Sequence, residues 1–503
     1  MSLVPIFNDL SFYEDSNFQN NRFTKLKRTF EDNFGNDSKI DFFARSPGRV
    51  NIIGDHIDYN YFPVLPMAIN NDVIAAIEIT NDKEIIITNT DANFKRTTIQ
   101  LPSGPKEIVK IDETFSWANY FKCGLIVAQK YLIEKNLLDG LKGMKITFDG
   151  NVPTGGGLSS SAAFCVTTAL SILYANGLTQ IPKSDLTKIT VVSEHYVGLN
   201  NGGMDQCASI YGEMNKALLI QFRPEIKGTP FKFPLDDLVF VITNSLQVSN
   251  KAETGPVHYN LRVVEMAIGA DMLSKKLQLE NVLQDSNSKT SSLRSVMECN
   301  YGQWDDNDIE RGIEELNKMI DLVEGNLNHD RYTVEQASKE LNITTEEFTQ
   351  KYLTKFPVRF DMLKIYQRAK HVYQESLRVL ETLKLLKSPI ENETTFLKSF
   401  GQLLNKSQYD LKNLCENSNE KLDRICEIAL ANGSFGSRIT GAGWGGSLVH
   451  LTTTDKLNKL IEAFENDYYK VEFPNITEDE LKEAILVSKP ANGSSIVTTN
   501  FLQ

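Results

Sequence analysis

Three consecutive glycines, Gly155, Gly156 and Gly157, stand just ahead of three consecutive serines, Ser159, Ser160 and Ser161, and the chain then runs directly into a small, apolar stretch at 162–174. A strand-like run, Lys145 to Phe148, precedes them, so the segment reads as strand, glycine loop, helix. Glycines let backbone N–H groups turn toward a ligand with no Cβ in the way, and a helix start adds unpaired donors and positive potential. The pattern therefore predicts an anion cradle for a phosphorylated ligand. No Lys follows the glycines, so this is not the common loop that ends in Gly-Lys-Ser/Thr. The serines and a separate cation must then neutralise the phosphates and hold Mg²⁺. A flexible linker would share the composition, but linkers do not usually lead straight into a buried helix.

Two further segments are as unusual. Between Arg45 and Tyr59 the chain concentrates Arg45, Arg49, Asp55, His56 and Asp58 around Gly48, Gly54 and Pro47. Such density of polar side chains makes poor core. Asp55, His56 and Asp58 lie within four positions, enough to meet several hydroxyls of a bound sugar at fixed angles and tell one stereoisomer from another. A solvated turn with self-paired charges is the alternative for any one of them. The segment 437–447 is again glycine-dense, with Gly441, Gly443, Gly445 and Gly446, and taken alone it fits a tight turn or close packing equally well. Between these segments, Gly202 and Gly203 precede Asp205, with a candidate helix at 207–211; taken alone, Asp205 reads as a helix N-cap.

With 503 residues, 41% of them hydrophobic, the chain exceeds what one core usually supports, and two lobes are expected. We divide it at 1–230 and 231–503, the second lobe opening near the strand-like run Leu238 to Thr243 and carrying a polar, helical elaboration at 282–356. Long amphipathic helices are expected over 358–386. The net charge of −12 opposes direct nucleic-acid binding, which needs a surplus of Lys and Arg. The six cysteines are scattered with no C-x-x-C pair, which suits a reducing compartment. No signal-peptide or membrane-spanning run can be drawn, so the expectation is a cytoplasmic protein, with a nuclear fraction left open.

Taken in order, the segments at 45–59, 151–163 and 437–447 resemble the three signature motifs of the GHMP kinases, and the first is similar to the galactokinase signature in particular. The family usually has Glu where this chain has Asp55. The likeness runs over nearly the whole chain and includes Phe231 to Pro234 and Pro357 to Phe360, where it is most like fungal members. It implies an α/β (α+β) fold of two lobes with the active site in the cleft between them. It also implies Asp205 as the general base that takes the proton from the C1 hydroxyl of galactose, with Arg49 beside it stabilising the developing charge. Arg49, Asp55, His56, Asp58, Gly202, Asp205 and Tyr259 would bind galactose. Gly155, Gly156, Gly157, Ser159, Ser160 and Ser161 would cradle ATP, Ser161 would lie close to Mg²⁺, and Trp117 would line the adenine pocket.

The implied activity is ATP-dependent phosphorylation of galactose. Fungal relatives also include transcriptional inducers that grip the repressor of the galactose pathway, so a galactose- and ATP-dependent repressor contact is a second expectation. Non-catalytic inducers can lack a Ser-Ala pair in the phosphate loop, whereas Ser159 to Ala163 is complete here, which favours an active enzyme. A non-catalytic galactose sensor and an N-acetylgalactosamine kinase are the competing readings.

Overall fold

The computed structural model describes residues 2–104, 106–114, 116–138, 140–199, 201–247, 254–286 and 289–502. Strand β2 (Phe42–Ile53) is buried at every position because both of its faces are covered. Successive strand side chains point to opposite faces. Phe42 and Ala44 enter the main core, while Phe43 joins Phe23 and Phe30 of helix α1 (Ser16–Phe34) on the other side.

Around β2 a seven-stranded sheet forms from β1 (Ile6–Phe7), β3 (Leu65–Thr80), β4 (Glu84–Asn89), β5 (Thr97–Gln100), β6 (Gly143–Gly150) and β13 (Ser495–Val497), in the order β1-β13-β2-β3-β6-β4-β5. The β1/β13 and β4/β6 pairs are parallel and the others antiparallel. Helices α2 (Trp117–Glu134) and α3 (Ser160–Ala175) cover the face opposite α1. Helices α4 (Lys183–Thr190) and α5 (Met204–Tyr211) follow, then a ribbon of β7 (Lys216–Gln221) and β8 (Lys227–Lys232).

The second lobe has a four-stranded antiparallel sheet of β9 (Leu238–Asn244), β10 (Gly436–Thr440), β11 (Ser447–Thr453) and β12 (Ile485–Ser488), ordered β10-β11-β9-β12. Its helices include α6 (Tyr259–Lys276), then α7 (Leu293–Tyr301), α8 (Ile309–Asn326), α9 (Val334–Leu341) and α10 (Thr345–Tyr352) within the polar stretch. Two of these helices begin with capping boxes, Thr333 with Gln336 and Thr344 with Glu347, which satisfy end donors in segments with little apolar surface to bury. Helices α11 (Ile365–Lys387) and α12 (Glu393–Asp410) come next; α11 starts only at Ile365, so the expected helix over 358–364 is absent.

The mixed, two-lobed architecture is as expected, but a cut at 230/231 falls inside β8, and the last strand leaves the second lobe to pair with β1 and β2. Pairing rather than chain order decides this, because β13 supplies backbone partners along an otherwise open edge of β2. Among the described residues no helix is long and apolar enough to cross a membrane.

Helix α12 touches β10 backbone to backbone. A Cβ on Gly401 would stand 2.0 Å from the Phe435 carbonyl oxygen, and one on Gly436 would stand 2.6 Å from the Gly401 Cα. This approach sets the position of β10, which carries Arg438 and Thr440 into the interior. Gly401→Ala should therefore cost roughly 1–3 kcal/mol by overpacking, read as a fall of several degrees in the thermal unfolding midpoint; an unchanged midpoint would contradict the contact.

Candidate active site

Of the two arginines in the first motif, only Arg49 reaches the cleft. Arg45 donates to Asp72 at 2.5 Å and to the carbonyls of Asn492 and Gly493, fastening the C-terminal segment to the first sheet. Arg49, on β2 just past an irregularity in the β2/β3 register, is 2% exposed. Its Nε and Nη2 both meet Asp205 Oδ1, at 2.8 and 2.7 Å, and its Nη1 donates to the Gly157 carbonyl at 2.8 Å. One guanidinium thus joins the sugar motif, the candidate base and the phosphate loop.

Asp205 is not the N-cap of its helix. Gly203, at φ +101°, occupies that position, and Asp205 lies in the first turn of α5, where the positive end of the helix favours a carboxylate. From there its Oδ1 meets Arg49. Gly202 acts as a spacer: a Cβ there would come within 2.5 Å of both Asp58 Oδ2 and the Tyr59 nitrogen. Asp58 is buried 5% exposed, and its carboxyl is pushed up to about 7, first by burial and then by the nearby Asp205 charge, against hydrogen bonds from the Met204 and Tyr59 N–H groups.

After β2 the chain turns through Gly54 (φ +108°) and His56 (φ +62°). Asp55 Oδ2 accepts from Arg438 Nη2 at 2.6 Å and Oδ1 from the Gly441 N–H at 3.2 Å. Burial raises the Asp55 carboxyl, with Arg438 and then Arg49 opposing. His56 Nε2 lies 2.9 Å from the Ala442 carbonyl, which can only accept, so that nitrogen carries a hydrogen; Nδ1 shares a hydrogen bond with the Tyr59 hydroxyl at 2.9 Å. Tyr259, the first residue of α6, sets its ring 5.4 Å from His56 and 5.8 Å from Tyr59, and burial raises its phenol well above the ordinary range. Arg49, Asp55, His56, Asp58, Asp205 and Tyr259 line a small cleft that opens to solvent, together with Asn201, Gly203, Met204, Gly441 and Ala442.

The phosphate loop adjoins this cleft. Gly155 and Gly157 have positive φ, as does Ser159 at +62°, a backbone state that an L side chain adopts only at a cost, and α3 begins at Ser160. The buried Ser159 Oγ has no hydrogen-bond partner in the protein, an unmet polar atom at the end of the loop where α3 begins. The third glycine segment packs on this loop: a Cβ on Gly441 would stand 2.5 Å from the Gly157 oxygen, and Ser447 Oγ donates to the Gly156 carbonyl at 2.5 Å. Trp117 opens α2, donates from Nε1 to the Lys95 carbonyl, and clusters with Phe94, Phe148 and Phe164, the last on α3 one turn beyond the serines.

Three family descriptions match the chain: the galactokinase galactose-binding signature over residues 28–79, the GHMP kinases N terminal domain over 119–213 and the GHMP kinases C terminal over 386–470. A galactokinase of Candida albicans is 61% identical over 99% of this chain and 100% of its own, and one of Schizosaccharomyces pombe is 50% identical over 99% of both. Among solved structures, the galactokinase of Lactococcus lactis complexed with galactose superposes with a TM-score of 0.67, at 23% identity, covering 94% of this chain and 99% of that one, a likeness of fold. The chain belongs to the galactokinase family of GHMP kinases. At Asp55, where the resemblance leads one to expect Glu, Arg438 supplies the partner. Arg438, Gly441 and Ala442 received no individual role from the sequence; the signal was the third glycine segment itself, which a single sequence could not distinguish from a packing turn.

The Asp58 carboxyl couples stability to pH. Its folded value, about 7, lies above the unfolded value near 3.8, so folding opposes ionisation, and stability is lost as pH rises from about 4 to 7. Asp58→Asn removes this penalty, on the order of 4 kcal/mol at most. The variant should melt progressively higher than the parent between pH 5.5 and pH 8. A difference that stays flat or shrinks with pH would show that Asp58 is not raised.

Proposed function

We propose that the protein transfers the γ-phosphoryl group of ATP to the C1 hydroxyl of D-galactose, giving ADP and galactose 1-phosphate. The observation that carries this reading is the Arg49 bridge from Asp205 to the Gly157 carbonyl, which puts a carboxylate base and the phosphate loop on one cation. Galactose lies in the cleft, with Asp58, His56, Asp55 and Tyr259 around it as hydrogen-bonding groups. Asp205 accepts the C1 hydroxyl proton as the oxygen attacks the γ-phosphorus, and the bond to the β-phosphate oxygen breaks to release ADP. Phosphoryl transfer asks mainly for alignment and charge neutralisation, and Arg49 supplies charge to the attacking oxygen and the transferring group alike.

The loop fits a magnesium nucleotide. Among the described residues no group of three or more His, Cys, Asp or Glu could hold a metal ion by itself, which agrees with an ion that arrives on phosphates and needs few protein ligands. Ser161, in the first turn of α3, is the hydroxyl we assign to Mg²⁺, and Ser159 Oγ is available to a phosphate oxygen. An ion held there would supply charge neutralisation for the phosphates. The backbone of 155–157 and the start of α3 orient the triphosphate, and the aromatic cluster at Trp117 borders the base.

Asp205→Asn should lower turnover by about 10²–10⁴-fold while galactose binding, followed by calorimetry, stays measurable. Near-normal turnover would remove Asp205 as base. A coupled assay of ADP release with Mg²⁺-ATP and galactose, N-acetylgalactosamine or glucose should show strong turnover on galactose. Preference for N-acetylgalactosamine would reassign the acceptor, and galactose binding without turnover would make the protein a sensor.

A further inference from the structure

The turn 54–56 leaves the end of β2 and so belongs to the first lobe, yet the groups that hold it come from the second. Gly54 N–H donates to Glu375 Oε1 at 2.9 Å, and the Asp55 carbonyl lies 3.1 Å from His371 Nε2. Asp55 Oδ2 receives Arg438 Nη2, and His56 meets the Ala442 carbonyl. Glu375 and His371 stand on α11 and Arg438 on β10, and all three are fully buried.

Arg438 is itself over-determined. Its Nε donates to Ser407 Oγ at 3.0 Å, and its Nη1 to the carbonyls of Asn51 and Ile52 at 3.1 and 3.0 Å. Its Nη2 also lies 3.6 Å from Glu375 Oε1. A planar guanidinium pinned at these points can present its remaining edge in one place only. Glu375 in turn accepts from Ser407 Oγ at 2.8 Å and Arg378 Nε at 2.9 Å. Burial would push its carboxyl up, but Arg378 and Arg438 hold it down at about 2, so it stays charged.

We propose that Glu375 and Arg438 are positioning residues for sugar recognition, through which the second lobe sets galactose affinity by fixing the Gly54–Asp55 turn and the orientation of the Asp55 side chain. Neither lines the cleft. The proposal rests on Asp55 facing the sugar, as assigned above. The charged and titratable groups around Asp55 are Arg438 from β10, Arg49 from β2, Asp58 from the following turn, Glu375 and His371 from α11, and Cys415. Among the cations Arg438 opposes the effect of burial most, so its loss lets Asp55 take up a proton nearer neutrality.

The test is steady-state kinetics of the full chain from pH 5.5 to 9 for Arg438→Gln, Arg438→Lys, Glu375→Gln and Asp55→Asn. Arg438→Gln and Glu375→Gln should raise the galactose KM about tenfold or more, with the ATP KM and kcat within about threefold of the parent. In Arg438→Gln the acid limb of kcat/KM for galactose should also move to higher pH, and Arg438→Lys should recover part of both effects. If Asp55→Asn leaves the galactose KM unchanged, the Asp55 assignment fails. If Asp55→Asn raises it but the Glu375 and Arg438 variants do not, the positioning role alone fails. Parallel loss of kcat and both KM values in variants that still unfold cooperatively would reduce the pair to general stability and overturn the proposal. Should Arg438→Gln not fold, Glu375→Gln, which keeps the side-chain shape, decides by the same KM split.

Discussion

The Arg49 guanidinium is the contact on which the site depends. Buried at 2% exposure, it must be compensated, since a charge removed from water costs several kcal/mol unless it is paired and hydrogen-bonded. Its partners come from two separate segments, Asp205 at the start of α5 and Gly157 in the phosphate loop. Neither is near β2 in sequence, so the pairing forms only once the first lobe has assembled. The same bonds that satisfy Arg49 bring the base and the nucleotide loop to the sugar motif.

This arrangement explains where glycine is needed. Gly202 lets α5 approach Asp58, and Gly441 lets the third glycine segment rest on the phosphate loop, each at a distance that a Cβ would forbid. Ser447 completes the contact by donating to Gly156. The two lobes therefore meet backbone to backbone beside the cleft, and the loop is held in shape from both sides.

The cleft also concentrates negative charge. Asp55, Asp58 and Asp205 all line it, and Asp58 is raised to about 7 partly because Asp205 lies close by. A structure selected for stability alone would not bury these acids together, and perturbed groups of this kind gather where chemistry is done. Arg49 and Arg438 limit the cost by pairing with two of the three.

Much of this was legible in the residues. The strand, glycine loop and helix at 145–174, the polar density at 45–59 and the pairing of Gly202 with a following acid were visible because each is a local pattern with a local cause: backbone freedom, helix-end donors, or side chains too polar for a core. The third glycine segment was visible but ambiguous, since only its neighbour across the lobes separates a packing turn from a site element. Arg45 and Arg49 looked alike in sequence, and only the β2 register sent one to Asp72 and the other to Asp205. The cap of α5, the return of β13 to the first sheet and the hold of α11 and β10 on the Asp55 turn were likewise decided by tertiary structure. Sequence by itself determined the chemistry the chain could offer, because residue types and their spacing are local; which groups share a charge or a hydrogen bond was set by folding, because those partners lie up to hundreds of residues apart.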